Sequence, residues 1–442
     1  MTELATGLIV LFLIFFYLGL GVWVFIGLIS VSLTVQFFIL DMSPDTIGAI
    51  ATKIMVRSAS SWELAAIPMF IWMGDIIFRT DISRRLFDGL APIVNIIPGR
   101  LLHANIVGCT VFAAVSGSST ATAVTVGKIS LEELSARGYD RSLAVGSLAG
   151  AGSLGLLIPP SIVMIVYGIL AEVSIISLFA AGVLPGLMIA ALYSGYISLR
   201  AKTGDGIVPQ VAEGGGGNIP RVRLADLVNL LPVALLIVVV LGSIYSGLAT
   251  PSEAAAIGVL AALVIAFVTG QLSLDLLTQS VMSSVKMSAM VVSLVVAAAL
   301  LSTTMGYLHL PQNVATMISG MELSPYALIA LLAAFYVLLG LFLEGISITV
   351  MSLPITLPLI VQAGFDPLWF GVFLILMVEL ATITPPVGFN LFVLQGLTNM
   401  SISQIARASM PFFLLLCVGV VLLTLFPEIA LWLPETIRGG GG

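Results

Sequence analysis

Long apolar stretches joined by short polar connections make up most of the chain. They fall at roughly 5–40, 65–78, 88–98, 102–127, 142–172, 176–199, 228–247, 253–269, 284–307, 325–343, 345–362, 367–398 and 409–433. These runs lack the period-2 alternation of membrane β-barrel strands, so they predict helices. Several are longer than the ~20 residues that span a bilayer, which predicts hairpins or broken helices within them.

Two of these stretches contain a pair of prolines where a spanning helix would be continuous. The first reads GLLIPPSIVMIVYG, residues 155–168, and the second reads TITPPVGFNLFVLQG, residues 382–396. Proline lacks a backbone N–H and disrupts the preceding helical turn, so each pair frees backbone carbonyls. We therefore expect two helices that are broken inside the membrane.

A small polar turn precedes each diproline. The segment AAVSGSSTATA, residues 113–123, lies between apolar limbs that are too short to cross a bilayer, which predicts a re-entrant hairpin. The segment LEGIS, residues 343–347, is its counterpart in the second half. The two turns precede their diprolines by similar distances, 42 residues from Gly117 to Pro159 and 40 from Gly345 to Pro385. The matched spacing predicts an internal repeat.

The distribution of basic residues indicates how the two repeats are oriented. Thirteen of the sixteen Lys and Arg residues lie in the first half, up to Arg223. First-half loops carry Arg79, Arg84, Arg85, Arg100, Lys128, Arg137 and Arg141. The corresponding second-half loops, at about 308–323 and 362–367, carry none. By the positive-inside rule these loops face opposite sides, which predicts an inverted-topology repeat of the kind found in secondary transporters.

The same patterns suggest how the chain is divided. Residues 201–223 form a polar linker with a glycine run at 214–217, and it separates two halves of nearly equal length. We expect N-terminal scaffold helices at 1–60, a first repeat at 61–200, further scaffold helices with an interfacial arm at 224–283, and a second repeat at 284–442.

Composition restricts the class of protein. The chain is 59% hydrophobic and 9% charged, with a mean hydropathy of +1.18, whereas soluble proteins are about one quarter charged. It is therefore a multi-pass membrane protein with no role in binding nucleic acid. No Walker A motif is present, and two histidines with two isolated cysteines offer neither a nucleophile–base pair nor a metal site, so we do not expect an enzyme.

Polar groups at membrane depth are the candidate functional groups. Carbonyls and hydroxyls at the hairpin tips and breaks are hard oxygen ligands for a cation such as Na⁺, although serine and glycine also serve simply to pack helices closely. The pairing of tips with breaks favours two cation sites with a substrate site between them. Asp75, Glu344 and Glu379 are acidic candidates. Ser302 and Thr303 offer hydroxyls either for substrate or for bonds between helices.

The combination of SGSSTATA, GLLIPPSIVMIVYG, ATPSEAAAIGVL and TPPVGFNLFV resembles the large membrane subunit of the tripartite ATP-independent periplasmic (TRAP) transporters, the DctM-like family. The resemblance covers essentially the whole chain. It implies an all-α polytopic, elevator-type ion transporter fold in a bacterial inner membrane, with two re-entrant hairpins and two broken helices. It also implies Na⁺ as the coupling ion, in two or more copies, and no other metal or cofactor. The implied partners are a small four-helix membrane subunit, a periplasmic substrate-binding protein, a small organic acid and the lipid bilayer.

The resemblance assigns residues of this chain to three sites. The first Na⁺ site would comprise Ser116, Gly117, Ser118, Ser119, Gly155, Pro159 and Pro160. The second Na⁺ site would comprise Glu344, Gly345, Ser347, Thr384, Pro385 and Pro386. Substrate would bind to Ser119, Ser161, Ser302, Thr303, Ser347, Thr349, Gly388 and Asn390.

The favoured function is Na⁺-coupled import of a small organic anion, a carboxylate or a sulfonate, that a periplasmic binding protein delivers. One alternative is a stand-alone Na⁺/divalent anion symporter that needs no binding protein. A channel or a non-transporting membrane scaffold is a third possibility, but a continuous pore does not call for paired re-entrant tips.

Overall fold

A computed structural model describes residues 3–203, 224–309, 324–385 and 388–439. Within these ranges the chain forms 19 α-helices, three short 3-10 turns and no β-strand, which confirms the all-α fold class. Most of the predicted linker, most of the loop at 308–323 and the predicted site residue Pro386 lie outside the described residues.

The helices of the first half run from α1 to α10. They are α1 (Glu3–Gly19), α2 (Val24–Phe38), α3 (Pro44–Ala59), α4 (Ala66–Phe78), α5 (Ile82–Val94), α6 (His103–Ser116), α7 (Ser119–Ala136), α8 (Arg141–Gly152), α9 (Ile162–Ala171) and α10 (Ile175–Thr203). The helices of the second half are α11 (Leu224–Tyr245), α12 (Pro251–Val268), α13 (Leu274–Tyr307), α14 (Pro325–Leu339), α15 (Gly345–Gln362), α16 (Pro367–Thr382), α17 (Phe389–Leu397), α18 (Ile402–Leu425) and α19 (Glu428–Gly439).

Helices of two kinds are present. In the described ranges, six are long and apolar enough to cross a membrane, namely α10, α11, α12, α13, α15 and α18. A seventh candidate span consists of α3 and the segment Trp62–Phe78, which meet at a bend of 52°. These spans agree with a multi-pass membrane protein. Shorter apolar helices lie between them and build the two repeats.

The predicted hairpins and broken helices are present, and α15 is part of one of them. Hairpin 1 is α6 and α7 with the turn 117–118, and hairpin 2 is α14 and α15 with the turn 340–344. Break 1, residues 153–161, separates α8 from α9, and break 2, residues 383–388, separates α16 from α17. The halves on either side of break 1 have only 12 and 10 residues. At ~1.5 Å per residue, neither half alone spans a hydrocarbon core ~30 Å thick.

The two repeats interlock. In each repeat the hairpin packs against the first half of its own broken helix, α6 and α7 on α8, and α14 and α15 on α16. The second limb of each hairpin then packs against the second half of the other repeat's broken helix, α7 on α17 and α15 on α9. Both hairpin tips are therefore brought to the region where both helices break.

A separate group of helices packs beside the repeats. Helix α4 lies against α12 and α13, and α13 also packs on α2 and α3. Helix α13 is continuous over 34 residues, so the segment predicted as an interfacial arm and the span that follows it form one element. The domain boundary expected at 283/284 falls inside this helix.

A ladder of hydrogen bonds joins α4 to the first half of α13. The Ser284 hydroxyl donates to the Pro68 carbonyl over 2.9 Å, and the Trp72 indole donates to Ser280 over 3.1 Å. One turn further on, Asp75 pairs with Arg79 at 2.6 Å and accepts a hydrogen bond from Ser283 at 3.2 Å. Asp75, an acidic candidate from the sequence, thus belongs to a structural ladder and not to the tips.

The charge asymmetry predicts opposite sides of the membrane for two connections. We expect the α7–α8 connection to face the cytoplasm and the α11–α12 connection to face the periplasm. Ser135 and Ser246 are exposed positions at these connections. In a variant lacking Cys109 and Cys417, a membrane-impermeant maleimide should label Ser246→Cys in sealed spheroplasts and Ser135→Cys only after lysis. Labelling of Ser135→Cys in sealed spheroplasts would contradict this orientation.

Candidate functional site

The tip of hairpin 1 is a two-residue turn built from a glycine and a serine cap. Helix α6 ends at Gly117, which adopts a left-handed conformation with φ 60°. The Ser118 hydroxyl then accepts a hydrogen bond from the Ala121 amide and caps α7. The hydroxyls of Ser116 and Thr122 lie 2.7 Å apart and hydrogen-bond across the turn. The hydroxyls of Ser116 and Ser118 therefore have partners within the hairpin itself.

Break 1 leaves a run of backbone carbonyls without donors. After α8 and the 3-10 turn Ser153–Gly155, the chain is non-helical until Ser161, whose hydroxyl accepts from the Met164 amide and caps α9. In the part of the chain that the structure describes, no hydrogen-bond donor reaches the carbonyls of residues 156–160, all of which are buried. Unpaired buried carbonyls are costly, and in membrane transporters such groups coordinate cations.

Hairpin 1 and break 1 form a single unit because glycines allow their backbones to touch. A Cβ added at Gly155 would lie 2.5 Å from Ser119 Cα and 2.6 Å from the Ser118 carbonyl oxygen. A Cβ at Gly117 would lie 2.8 Å from the Pro160 carbonyl oxygen. The structure thus brings these members of the first predicted Na⁺ site into direct contact.

The tip of hairpin 2 is capped by a carboxylate. Glu344 accepts hydrogen bonds from the amides of Ile346 and Ser347 at 3.3 and 3.1 Å, and from the Ser347 hydroxyl at 3.2 Å. The Thr349 hydroxyl donates to the Gly345 carbonyl at 3.0 Å. Glu344, Ser347 and Thr349 are therefore engaged with the first turn of α15. A negative charge already occupies the N-terminus of that half-helix.

The described part of break 2 keeps hydrogen bonds on both sides of Thr384. The Gly388 amide donates to the Thr384 carbonyl at 2.9 Å, and the Thr384 hydroxyl donates to the Leu380 carbonyl at 2.7 Å. Asn390 is buried and donates its side-chain NH₂ to the Thr382 hydroxyl at 3.2 Å. Within the described residues its side-chain oxygen has no partner, which leaves one hard oxygen ligand free at this break.

Glu379 connects the two repeats. Its side chain is completely buried one turn before break 2, yet its carboxylate reaches the first repeat. Oε1 accepts a hydrogen bond from the Ser119 hydroxyl at the tip of hairpin 1 and another, of 3.0 Å, from the Leu156 amide in break 1. The Thr382 hydroxyl lies 3.4 Å from Oε2.

Leu156 completes this junction from the other side. Its side chain lies 3.3 Å from the position that a Cβ on Gly345 would occupy, so break 1 also touches the tip of hairpin 2. Sequence reasoning named Glu379 only as an acidic residue near break 2. It placed Leu156 and Thr382 among the residues around the breaks whose carbonyls are freed, and it did not predict their contacts with Glu379. An isolated acid in the apolar helix α16 was a visible signal, but its partners lie over 200 residues away.

A cavity of about 890 Å³ lies apart from the tips. Its wall is formed by α3, by the α9–α10 connection and by the N-terminal end of α12. Helix α13 and the part of α15 at residues 353–358 complete the wall. Ser302 and Thr303 line it together with Arg57, Pro354 and Pro358. The remaining hydroxyl and amide residues of the predicted substrate set are buried at the tips and breaks: Ser119, Ser161, Ser347, Thr349 and Asn390. The structure therefore splits the predicted substrate residues into two groups.

Comparison with known proteins identifies the family. The family model described as "Tripartite ATP-independent periplasmic transporter, DctM component" matches residues 9–429. The chain belongs to the DctM family. Proteins of this family are large membrane components of TRAP transporters for organic acids and work with a substrate-binding protein and a small membrane subunit. Together with its apolar spans, this membership makes the chain a multi-pass protein of the inner membrane.

Individual relatives and one solved structure are similar over most of the chain. The C4-dicarboxylate TRAP transporter large permease protein DctM of Pseudomonas aeruginosa is 34% identical, covering 92% of this chain and 94% of that protein. The sialic acid TRAP transporter large permease protein SiaM of Vibrio cholerae is 30% identical, covering 97% of this chain and 99% of that protein. The Alcanivorax borkumensis YdaH transporter shares the fold, with a TM-score of 0.59 at 13% identity over 88% of this chain and 90% of that chain.

The contact between hairpin 1 and break 1 predicts an asymmetry between two glycines. In Gly155→Ala, the new methyl group meets backbone atoms of Ser118 and Ser119, so the unit must open, at a cost of about 1–3 kcal/mol. In the control Gly396→Ala, on α17, the methyl group enters open space. Thermal unfolding in detergent should give a lower Tm for Gly155→Ala and an unchanged or slightly raised Tm for Gly396→Ala. Equal Tm values would argue against the close contact.

Proposed function

We propose that this chain carries out Na⁺-coupled import of a small organic anion by an elevator mechanism, in which the interlocked repeats move against the scaffold helices. The observation that carries the proposal is the run of carbonyls in the buried residues 156–160, which lack donors among the described residues. Within this run the Pro160 carbonyl lies against Gly117 at the tip of hairpin 1. An oxygen-only set of ligands at a broken helix suits a hard monovalent cation.

Two Na⁺ sites would follow from the paired architecture. At the first, the carbonyls of break 1 and the backbone of hairpin 1 would hold the ion. At the second, the free side-chain oxygen of Asn390 and the carbonyls around Thr384 would be the nearest ligands at break 2. The chemistry that the ions supply is positive charge at membrane depth, which offsets the cost of an anion there.

A carboxylate is the substrate group that the site favours. The relatives that transport C4-dicarboxylates and sialic acid both act on carboxylates. Half-helix N-termini attract such groups. The N-terminus of α9 lies beside Gly117, next to the start of α7, and the N-terminus of α17 lies at break 2. The N-terminus of α15 is unsuited to an anion because Glu344 already caps it. We place the substrate beside Ser161, Gly388 and Asn390, between the tips.

The scaffold side of the elevator would be the helices held by the α4–α13 ladder. A close contact marks the boundary, since a Cβ at Gly74 on α4 would lie only 3.3 Å from Ser116 Cα at the tip of hairpin 1. The cavity at Ser302 and Thr303 is also lined by both groups of helices, since α13 and α15 both contribute to its wall. A glycine at the close contact and a cavity between the groups are compatible with sliding.

The partners in this proposal are a small four-helix membrane subunit that braces the scaffold and a periplasmic binding protein that delivers the anion. The scaffold helices α1 and α2 expose large apolar side chains, including Phe12, Phe16, Trp23, Phe37 and Phe38. These helices are the surface on which we expect the small subunit or lipid to pack.

Reconstituted uptake tests the proposed function. The chain, its small subunit and the binding protein from the same operon are placed in liposomes, and radiolabelled C4-dicarboxylates and sialic acid are offered with either an inward Na⁺ gradient or a matched K⁺ gradient. We expect uptake only with Na⁺, the binding protein and the small subunit. Uptake without the binding protein would favour the stand-alone symporter, and equal uptake with K⁺ would contradict Na⁺ coupling.

A further inference from the structure

Glu379 is a buried acidic residue without a basic partner among the described residues. In the described ranges the ion pairs are Arg79 with Asp75 and Arg137 with Glu133, and neither involves Glu379. The carboxyl group is completely buried, and its neighbours are the neutral donors Ser119, Leu156 and Thr382. Neutral donors orient a carboxylate without cancelling its charge, and an isolated carboxylate in a membrane interior is costly.

The carboxylate lies at the edge of the carbonyl run. Leu156 donates its amide to Glu379, and the carbonyl of the same residue begins the series of five that lack donors within the described chain. Ser119, the other partner of Oε1, touches Gly155 at the tip of hairpin 1. The carboxyl group of Glu379 is therefore a direct neighbour of the carbonyl run of break 1, and none of the hydrogen-bond partners described at this junction is a basic side chain. The group that complements this region is a cation.

We propose that Glu379 supplies the charge that draws the cation to the site formed by hairpin 1 and break 1, although it belongs to the other repeat. This inference rests on the Na⁺ coupling proposed above and adds to it a residue that determines cation affinity. Through Ser119 and Leu156 the same carboxylate also holds the tip against the break. Glu379 thus both attracts the cation and keeps its backbone ligands in place.

The variant Glu379→Gln separates charge from hydrogen bonding. The glutamine side-chain oxygen can still accept hydrogen bonds from the Ser119 hydroxyl and the Leu156 amide. The glutamine NH₂ group, at the position of Oε2, can donate to the Thr382 hydroxyl. The matched control is Asp366→Asn, which removes one charge from the other end of α16, about 20 Å away at 1.5 Å per residue. Asparagine is a good N-cap, so this control preserves the helix.

The first measurement is a Na⁺ titration of thermal stability on purified protein in detergent, with K⁺ replacing Na⁺ at constant ionic strength. We expect the half-saturating Na⁺ concentration to rise by about tenfold or more in Glu379→Gln and to stay within about twofold of the wild type in Asp366→Asn. In reconstituted uptake the same shift should appear in the Na⁺ dependence. The substrate KM at saturating Na⁺ should change little, which a general loss of structure would not produce.

The possible results distinguish this inference from the proposed function. If the wild type responds to Na⁺ and Glu379→Gln responds at the same concentration, the inference is wrong and the Na⁺ coupling stands. If the wild type shows neither Na⁺-dependent stabilisation nor Na⁺-dependent uptake, the proposed function fails and the inference fails with it. Should the glutamine variant not fold, Glu379→Asp decides, because it keeps the charge. Its half-saturating Na⁺ concentration should stay within about threefold of the wild type, and a rise beyond about tenfold would overturn the inference.

Discussion

The structure depends on one constraint, the need of every backbone polar group in the hydrocarbon to find a partner inside the protein. A continuous helix meets this need with its own backbone hydrogen bonds, whereas two hairpin turns and two broken helices leave some backbone groups without helical partners. The N-termini of three helices that follow these turns and breaks have side-chain caps. Ser118 caps α7, Ser161 caps α9 and Glu344 caps α15. Within the described chain, the carbonyls of residues 156–160 have no hydrogen-bond donor. Break 1 therefore keeps a run of unsatisfied backbone carbonyls in the described chain, and tightly packed glycines lie beside it.

The two repeats place different side chains at equivalent positions of their tips and breaks, serine in the first repeat and glutamate in the second. At the tip of hairpin 1 the cap is Ser118, and at the tip of hairpin 2 it is Glu344. Six residues before the first diproline stands Ser153, which bonds to its own helix, and six before the second stands Glu379, which bonds across to the first repeat. Both acidic groups thus come from the second repeat. The first repeat instead provides unpaired carbonyls, so the charge and the dipoles at the centre have separate origins in the chain.

Much of the architecture could be predicted from the sequence because its signals are local. The diprolines, the SGSS turn and the length of the apolar runs mark breaks and hairpins through steric and dimensional limits that act within about ten residues. The partners of Glu379 could not be predicted this way, because Ser119 and Leu156 are far away in sequence and come near only when the repeats interlock. The domain boundary predicted at 283/284 lies inside the continuous helix α13, so a change in polarity along the sequence does not by itself mark the end of a helix.

The position of Glu379 has a consequence for how the two halves work together. A cation bound beside this carboxylate would attract it, and this attraction would stabilise the position in which Ser119 and Leu156 hold it. The carboxylate stands on α16 one turn before break 2, so any movement of that break displaces an anchor of the first site. Thermodynamic linkage is reciprocal. If cation binding at break 1 raises the affinity of break 2 for its ligand, then that ligand raises the cation affinity of break 1 by the same factor. Under the proposed function, two cation sites built in this way would behave as one coupled site, which is what a transporter needs if a partly loaded state is not to move.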